Sequence, residues 1–558
     1  MSSLHKIRLK QMKQILCAFA FSIVWAVSVS CRGAENPDAG FSPDGISGTL
    51  IIVGGGSVPD EVPVQLREAL GDSGSLVVIG DASEDAIAAS KSAVEWLDAH
   101  KITRATTIDS SVKEGTRAEA LAALIDAAAA VWICGGQQSR LADMDREGHV
   151  ESSLRRLLNR GGTIAGTSAG AAIMSKVMIA SGRDEPEIAV GWDLLPGAIV
   201  DQHFSERGRL ARSQIAVDRH PHLFGLGVDE STAVVVKGRH LQVLGQGEAT
   251  VLLAKCEYRD SEVSRLSAGE VADLTQLRRA AVQRASKIEP GETKYGVTVL
   301  AAGSLVIVGG GSMPDDVVAR FVELAGGETA HIVVLPTAVS REESAKESVP
   351  GFLRKSKVAG ITMLPQRGAS EVATEVFRSA LKSATGIWFG GGRQWNFVDA
   401  YEGTEAVALF HDVLRRGGVI GGSSAGATIQ GEFLVRGHPL GNTVMMAEGY
   451  EVGFAFLPGA AIDQHFTQRG RYPDLLPVIR RHPKLLGIGI DEGTAVVVQG
   501  SHAEIIGLHS AHFVSARQLQ CIGAEVPLPT TVEDASKLYV SIKTGEAIDL
   551  KTLAPERD

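Results

Sequence analysis

Thr163-Ile-Ala-Gly-Thr-Ser-Ala-Gly-Ala171 and Val419-Ile-Gly-Gly-Ser-Ser-Ala-Gly-Ala427 are two copies of one local design. Each is a short apolar run, then a serine between small residues, then a helix-forming start. Ser168 and Ser424 sit at the centre of Gly-x-Ser-x-Gly, where a serine turns sharply from strand to helix and its Cβ must clear both. Such a turn presents the hydroxyl outward and leaves the next backbone N–H, of Ala169 or Ala425, free for an oxyanion. Strand, tight turn and helix in that order are the unit of an α/β sheet, whose ligands bind at the carboxyl ends of the strands.

The same pattern continues on either side. Leu50-Ile-Ile-Val53, Leu76-Val-Val-Ile79 and Val131-Trp-Ile-Cys134 each run into glycine-rich or polar turns, and Ala118 to Ala129 has helical composition. This alternation predicts parallel strands with helices on both faces. The chain also repeats itself. Gly48 to Asp60 matches Gly303 to Asp315, and Val131-Trp-Ile-Cys-Gly-Gly-Gln-Gln138 matches Ile387-Trp-Phe-Gly-Gly-Gly-Arg-Gln394. A repeat this long is a domain duplication. The expectation is two tandem three-layer α/β/α domains with mainly parallel sheets, at 48–255 and 303–515. Residues 1–30 read as an export signal, 31–47 as a linker, 256–302 as a charged connector and 516–558 as a C-terminal extension.

A serine hydroxyl needs a base, and a neutral imidazole must be held in one tautomer to serve. His203 stands in Asp201-Gln-His-Phe204 and His465 in the identical Asp463-Gln-His-Phe466. Glu230 and Glu492 lie in Gly-Val/Ile-Asp-Glu-x-Thr-Ala, each 27 residues beyond its histidine. One Gly-x-Ser-x-Gly alone is as well read as an ordinary turn, and one histidine as a structural residue. The ordered Ser-His-Glu set, found twice, outweighs those readings. Asp229 and Asp491 are rival acids, but neighbours on a strand point to opposite faces, so one of each pair orients the ring.

Arg207, Arg209 and Arg212 follow the first histidine, while Arg469, Arg471 and Asp474 follow the second. Three arginines so spaced can form a fork array for substrate carboxylates. The second site, with Asp474 in place of the last arginine, would then bind carboxylates less well, and Ser168→Ala would cost more activity than Ser424→Ala. Gly54-Gly-Gly56 and Gly309-Gly-Gly311 read as turns rather than phosphate cradles. His220-Pro-His222 is not kept in the second copy, where Lys484 replaces the second histidine, so no metal site is expected.

Of 558 residues, 44% are hydrophobic and 22% charged, which is ordinary for a folded protein of more than one domain. Lys6, Arg8, Lys10 and Lys13 precede the apolar run Ile15 to Val29, a signal-peptide pattern. Cys31 directly after small residues permits a lipid tether to a membrane. Serine three positions before it is a poor acylation signal, which favours simple secretion or a periplasmic location. Removing residues 1–30 takes four basic and no acidic side chains and leaves a net charge of about −14. So acidic a body argues against nucleic-acid binding. Cys134, Cys256 and Cys521 are scattered and make neither a disulfide framework nor a metal site. Cys134, in an apolar strand, reads as a buried inert thiol.

Taken together, Gly-Gly-x-Gln, Gly-Thr-Ser-Ala-Gly-Ala, Asp-Gln-His-Phe-x-x-Arg-x-Arg-x-x-Arg and Gly-Val-Asp-Glu-x-Thr-Ala resemble the cyanophycinase and aspartyl dipeptidase family of serine peptidases. The resemblance covers nearly all of 48–255 and again 303–515. It implies a fold like that of class I glutamine amidotransferases and the triads Ser168-His203-Glu230 and Ser424-His465-Glu492. Substrate contacts are implied for Gln138, Asp201, Gln202, Arg207, Arg209 and Arg212, and for Gln394, Asp463, Gln464, Arg469 and Arg471. Oxyanion donors fall at Gly136 and Ala169, and at Gly392 and Ala425. The implied activity is hydrolysis of multi-L-arginyl-poly-L-aspartate to β-aspartyl-arginine, without metal or cofactor. Its relatives act as dimers, so a tandem chain would be an intramolecular pseudo-dimer. An aspartyl dipeptidase and a non-catalytic polymer-binding protein are the alternatives.

Overall fold

A computed structural model describes residues 43–556 apart from 109–110, 113, 293–297, 521 and 524–525. The export segment, Cys31 and Cys521 lie outside the described residues. In the first domain the strands Ile46–Val53, Thr163–Thr167, Ala130–Ile133, Leu76–Ile79 and Ala105–Thr106 run parallel, in that spatial order. The side chains of the first four alternate between two buried faces. Leu50, Ile52, Val77 and Ile79 meet Leu121, Ile125 and Leu154 from the helices Arg117–Ala127 and His149–Asn159. Ile51, Val53 and Val78 meet Val62, Leu66 and Leu97 from Glu61–Leu70 and Ala86–Ala99. A strand covered on both faces carries a continuous apolar run, and this explains why these segments are so legible.

The sheet continues past Ile46–Val53 as the antiparallel strands Thr232–Gly238, His240–Gly245 and Val271–Asp273. A smaller sheet holds Ala198–Gln202 parallel to Phe224–Val228, then Ala249–Leu253 and Glu262–Leu266 antiparallel. The second domain repeats both sheets. Ser304–Val308, Val419–Ser423, Gly386–Phe389, His331–Leu335 and Gly360–Met363 form its parallel half. The strands Leu457–Gln464 and Leu486–Ile490 lie parallel in its small sheet.

Two boundaries need correction. The charged connector 256–302 is largely first-domain structure, because Glu262–Leu266 and Val271–Asp273 close its two sheets. Helix Leu274–Ala285 then buries Leu274, Leu277, Ala280 and Ala281 in its core. The extension 516–558 likewise closes the second domain's sheets with Val540–Lys543 and Ala547–Asp549. Edge strands bury little and carry charge outward, so their sequences look like linkers.

Candidate active site

Three backbone segments meet on the carbonyls that end the first strand. Val53 C=O accepts the Ser168 N–H at 2.9 Å, Gly54 C=O that of His203 at 2.8 Å, and Gly55 C=O that of Ser231 at 2.9 Å. The second domain repeats this with Val308 to Ser424, Gly309 to His465 and Gly310 to Gly493, at 3.1, 2.7 and 2.8 Å. The serine, histidine and acid turns are thus stitched to one strand end, between the large sheet and the small one. A Cβ on Gly55 would stand 2.2 Å from His203 Cε1, and one on Gly310 would stand 2.3 Å from His465 Cε1. Only glycine fits beneath the imidazole. In the sequence these triple glycines read as ordinary turns; their recurrence at the same strand end is the signal of this role.

Ser168 and Ser424 hold φ of 52° and 56°, and His203 and His465 hold 48° and 51°. Left-handed backbone at a non-glycine residue costs about 1–3 kcal/mol and persists where surrounding structure imposes it. Here the hydrogen bonds to the carbonyls of Val53 and Gly54, and of Val308 and Gly309, hold it. Ser168 Oγ lies 2.9 Å from His203 Nε2, and His203 Nδ1 lies 2.5 Å from Glu230 Oε1. The corresponding distances at Ser424, His465 and Glu492 are 2.9 and 2.6 Å. A carboxylate at Nδ1 selects the tautomer with hydrogen there, which leaves the Nε2 lone pair to take the serine proton. Burial holds His465 below the ordinary imidazole range, and Arg469 and Arg471 push the same way against the pull of Glu492.

Asp229 and Asp491 have other work. Asp229 accepts the backbone N–H groups of Ser205 and Glu248 at 3.0 and 3.1 Å. Asp491 accepts those of Thr467 and Ser510, and His512 Nε2 lies 3.4 Å from it. Asp229 and Glu230 lie in the turn after the strand Phe224–Val228 rather than on it, so strand alternation does not separate them; the turn directs Glu230 to His203 and Asp229 to the backbone. Glu206 accepts the Glu230 N–H at 3.1 Å, and Gln468 accepts that of Glu492 at 3.0 Å.

Ala169 opens the helix Ala169–Ala172, so its N–H has no acceptor within the helix. Across from it, a Cβ on Gly135 would lie 3.4 Å from Ser168 Cβ and 3.9 Å from its Oγ, so the Gly135–Gly136 turn faces the Ser168 hydroxyl. Gly136 and Gly392 both hold φ of 146°, and a Cβ there would strike the carbonyls of Ala82 and Ala338. Cys134, just before the first turn, is buried, and burial pushes its thiol up to about 12, which makes it inert.

The expected array of three arginines needs correction. Arg212 is buried and grips Asp201 with Nε at 2.9 Å and Nη2 at 2.6 Å. Arg209 and the Ser213 hydroxyl complete that carboxylate at 3.0 and 2.7 Å. Asp201 and Arg212 therefore satisfy each other, because the helix Leu210–Arg219 turns Arg212 inward to the strand end. Arg209 also donates to the Gln202 carbonyl and side chain, and Arg471 does the same for Asp463 and Gln464. The Gln138 amide donates to the carbonyls of Ile179 and Ala180, and that of Gln394 to Val435 and Arg436. Of the expected cations, Arg207 and Arg469 are the two left exposed beside the histidines.

The second site does not lack the missing cation either. Arg436, from the longer segment between serine and histidine, grips Asp463 with Nε and Nη2, both at 2.9 Å. Its Nη2 also reaches Asp474 at 2.5 Å. Asp474 is thus a second acceptor for a substitute arginine. Nothing in the sequence pattern around the histidine pointed to Arg436.

A serine hydroxyl, an oriented imidazole and a facing glycine turn on an α/β scaffold fit a serine-type hydrolase. Residues 50–244 and 305–506 each match the sequence model described as Peptidase family S51, and the chain belongs to that family. Similar curated proteins include the cyanophycinase of Trichormus variabilis (strain ATCC 29413 / PCC 7937), 32% identical over 225 residues, which are 38% of this chain and 75% of that protein. The cyanophycinase of Synechococcus elongatus is 37% identical over 151 residues, 25% of this chain and 47% of that protein. Among solved structures, a peptidase from an acI-B1 Actinobacterium is 22% identical with a TM-score of 0.34, covering 41% of this chain and 98% of its own.

Proposed function

We propose that this chain is a cyanophycin-hydrolysing peptidase with two working sites. The observation that carries the reading is the duplicated triad, with Ser–His at 2.9 Å in both copies. Similarity to cyanophycinases supports the choice of substrate. His203 takes the proton of Ser168 as Oγ attacks a main-chain carbonyl of the polyaspartate. The N–H groups of Ala169 and of the Gly135–Gly136 turn receive the oxyanion, each donor contributing about 3 kcal/mol to the transition state. Glu230 stabilises the imidazolium, which then protonates the leaving amine, and water resolves the acyl-enzyme. Ser424, His465, Glu492, Ala425 and Gly392 act in the same order.

Exposed Arg207 and Arg469 meet substrate carboxylates, while Asp201, Gln202 and Arg209, and likewise Asp463, Gln464 and Arg471, brace the histidine strand. We read residues 1–30 as an export signal, so the polymer is met outside the cytoplasm; the amino terminus of the mature protein tests this. The substrate reading is tested with purified protein on cyanophycin, β-Asp-Arg peptides and α-aspartyl dipeptides. Release of β-Asp-Arg is expected. Turnover of the α-linked dipeptides alone would assign the chain to the aspartyl dipeptidases, and binding of the polymer without any turnover would make it a polymer-binding protein.

A further inference from the structure

Resting on the peptidase reading, we propose that the second active site is completed from the first domain, and that the dependence runs one way. Residues 434–451 form an irregular segment with no strand or helix. At one end the segment builds the site. Val435 and Arg436 hold the Gln394 amide, and the Arg436 guanidinium sits on Asp463, two residues from His465. Arg393, next to the Gly391–Gly392 turn, donates to the His438 carbonyl at 3.1 Å.

At its other end the segment is held by the first domain. Glu448 and Glu451 are 9% and 0% exposed, and their ion-pair partners are first-domain arginines. Arg284, on the helix Leu274–Ala285, meets Glu448 at 2.6 Å, and Arg259 meets Glu448 at 3.0 Å and Glu451 at 2.6 Å. Gln283 adds hydrogen bonds to Glu451 and to the Gly449 N–H, at 2.6 and 2.9 Å. A buried carboxylate stripped of its partner is strongly unfavourable, so the segment keeps this path only while the arginines are there.

Among the described residues, the first site draws no such support from the second domain. Its arginine, Arg212, comes from its own helix, and the counterpart of the segment is the hairpin Val177–Ser181 with Glu187–Val190, paired with itself. Among the described residues, a second contact is one-way as well. Arg239 reaches across to Asp399 at 2.9 Å, whereas its counterpart Ser501 bonds Asp549 of its own domain. Asp143, the counterpart of Asp399, pairs with neighbouring Arg146 at the surface. A one-way contact of this kind is heterologous rather than two-fold.

The test compares full-length protein with the Arg259→Met/Arg284→Met variant by hydrogen exchange and by hydrolysis. Exchange should rise in peptides spanning 434–451 and 463–466 and stay unchanged in those spanning 163–203. In a Ser168→Ala background, where only Ser424 works, kcat/KM should fall at least tenfold; in a Ser424→Ala background it should change less than twofold. Arg259→Lys/Arg284→Lys, which keeps the charge, should restore most of the loss. Unchanged exchange at 434–451, or equal losses at both sites, would overturn the proposal. Should the Met pair fail to fold, Glu451→Gln is read by the same peptides: loosening confined to the second site sustains the coupling, and loosening spread through both domains ends it. If exchange behaves as expected but neither parent hydrolyses peptide, the coupling stands and the peptidase reading falls.

Discussion

The first site seats Asp201 with Arg212 from the helix that follows, while the second seats Asp463 with Arg436 from 27 residues upstream. Position by position, Arg212 against Asp474 looks like the loss of a binding group. In three dimensions it is a transfer of one task between elements. What both sites require is a buried carboxylate at the end of the histidine strand with its charge fully paired, and either arginine satisfies that. The ground for expecting a weaker second pocket therefore disappears. What distinguishes the sites is where their support comes from.

The largest effect should come from the nucleophiles. Ser168→Ala together with Ser424→Ala should reduce hydrolysis by about 10^5-fold or more, measured as kcat/KM on cyanophycin or a β-Asp-Arg peptide. Retention of full activity would remove both triads from the mechanism. Next come the glycines under the imidazoles. Gly55→Ala should cut the first site's rate about 100-fold while leaving Ser424 turnover intact, because a displacement of about 1 Å at the base is worth that much. Gly310→Ala should do the reverse, and the two together would show whether the glycine turn serves both sites equally.

The arginine exchange is checked through stability. Arg212→Met and Arg436→Met each leave a buried carboxylate without its main partner and should destabilise the domain concerned by about 3 kcal/mol, read as the loss in denaturant midpoint of that domain's transition. A large loss for Arg212 with none for Arg436 would break the equivalence drawn between them.

The smallest effect is in pH dependence. A general base works when neutral, and burial lowers the His465 pKa from 6.5. The Ser424 site, isolated by Ser168→Ala, should thus keep its activity to a pH below that value. Gln468→Glu places beside the Glu492 turn the carboxylate that Glu206 supplies in the first site. It should favour the imidazolium and move the acid limb of the pH–rate profile up by about half a unit. A downward move would reverse the assigned sign.

Much of this was legible in the chain. Four of the five parallel strands announce themselves because both faces are buried, whereas the outermost, Ala105–Thr106 and Gly360–Met363, stay part exposed and do not; the serine turns show because their geometry excludes large neighbours. The triads were readable from order and spacing. Three things were not. Glu262–Leu266 and Val540–Lys543 are edge strands whose charged faces look like linker. Arg212 and Asp201 carry charges that look free in a sequence and are spent on each other in the fold. Arg436 is brought to Asp463 by a segment without regular structure, so no periodicity foretells it. Local pattern reports what a segment buries; it does not report which distant charge will meet it.

Both sites should be armed despite their different scaffolding. Labelling the intact protein with a fluorophosphonate and mapping the modified peptides tests it directly. Adducts are expected on both Ser168 and Ser424, the first lost in His203→Ala and the second in His465→Ala. Modification of only one of the two serines, or labelling that survives loss of its histidine, would contradict it.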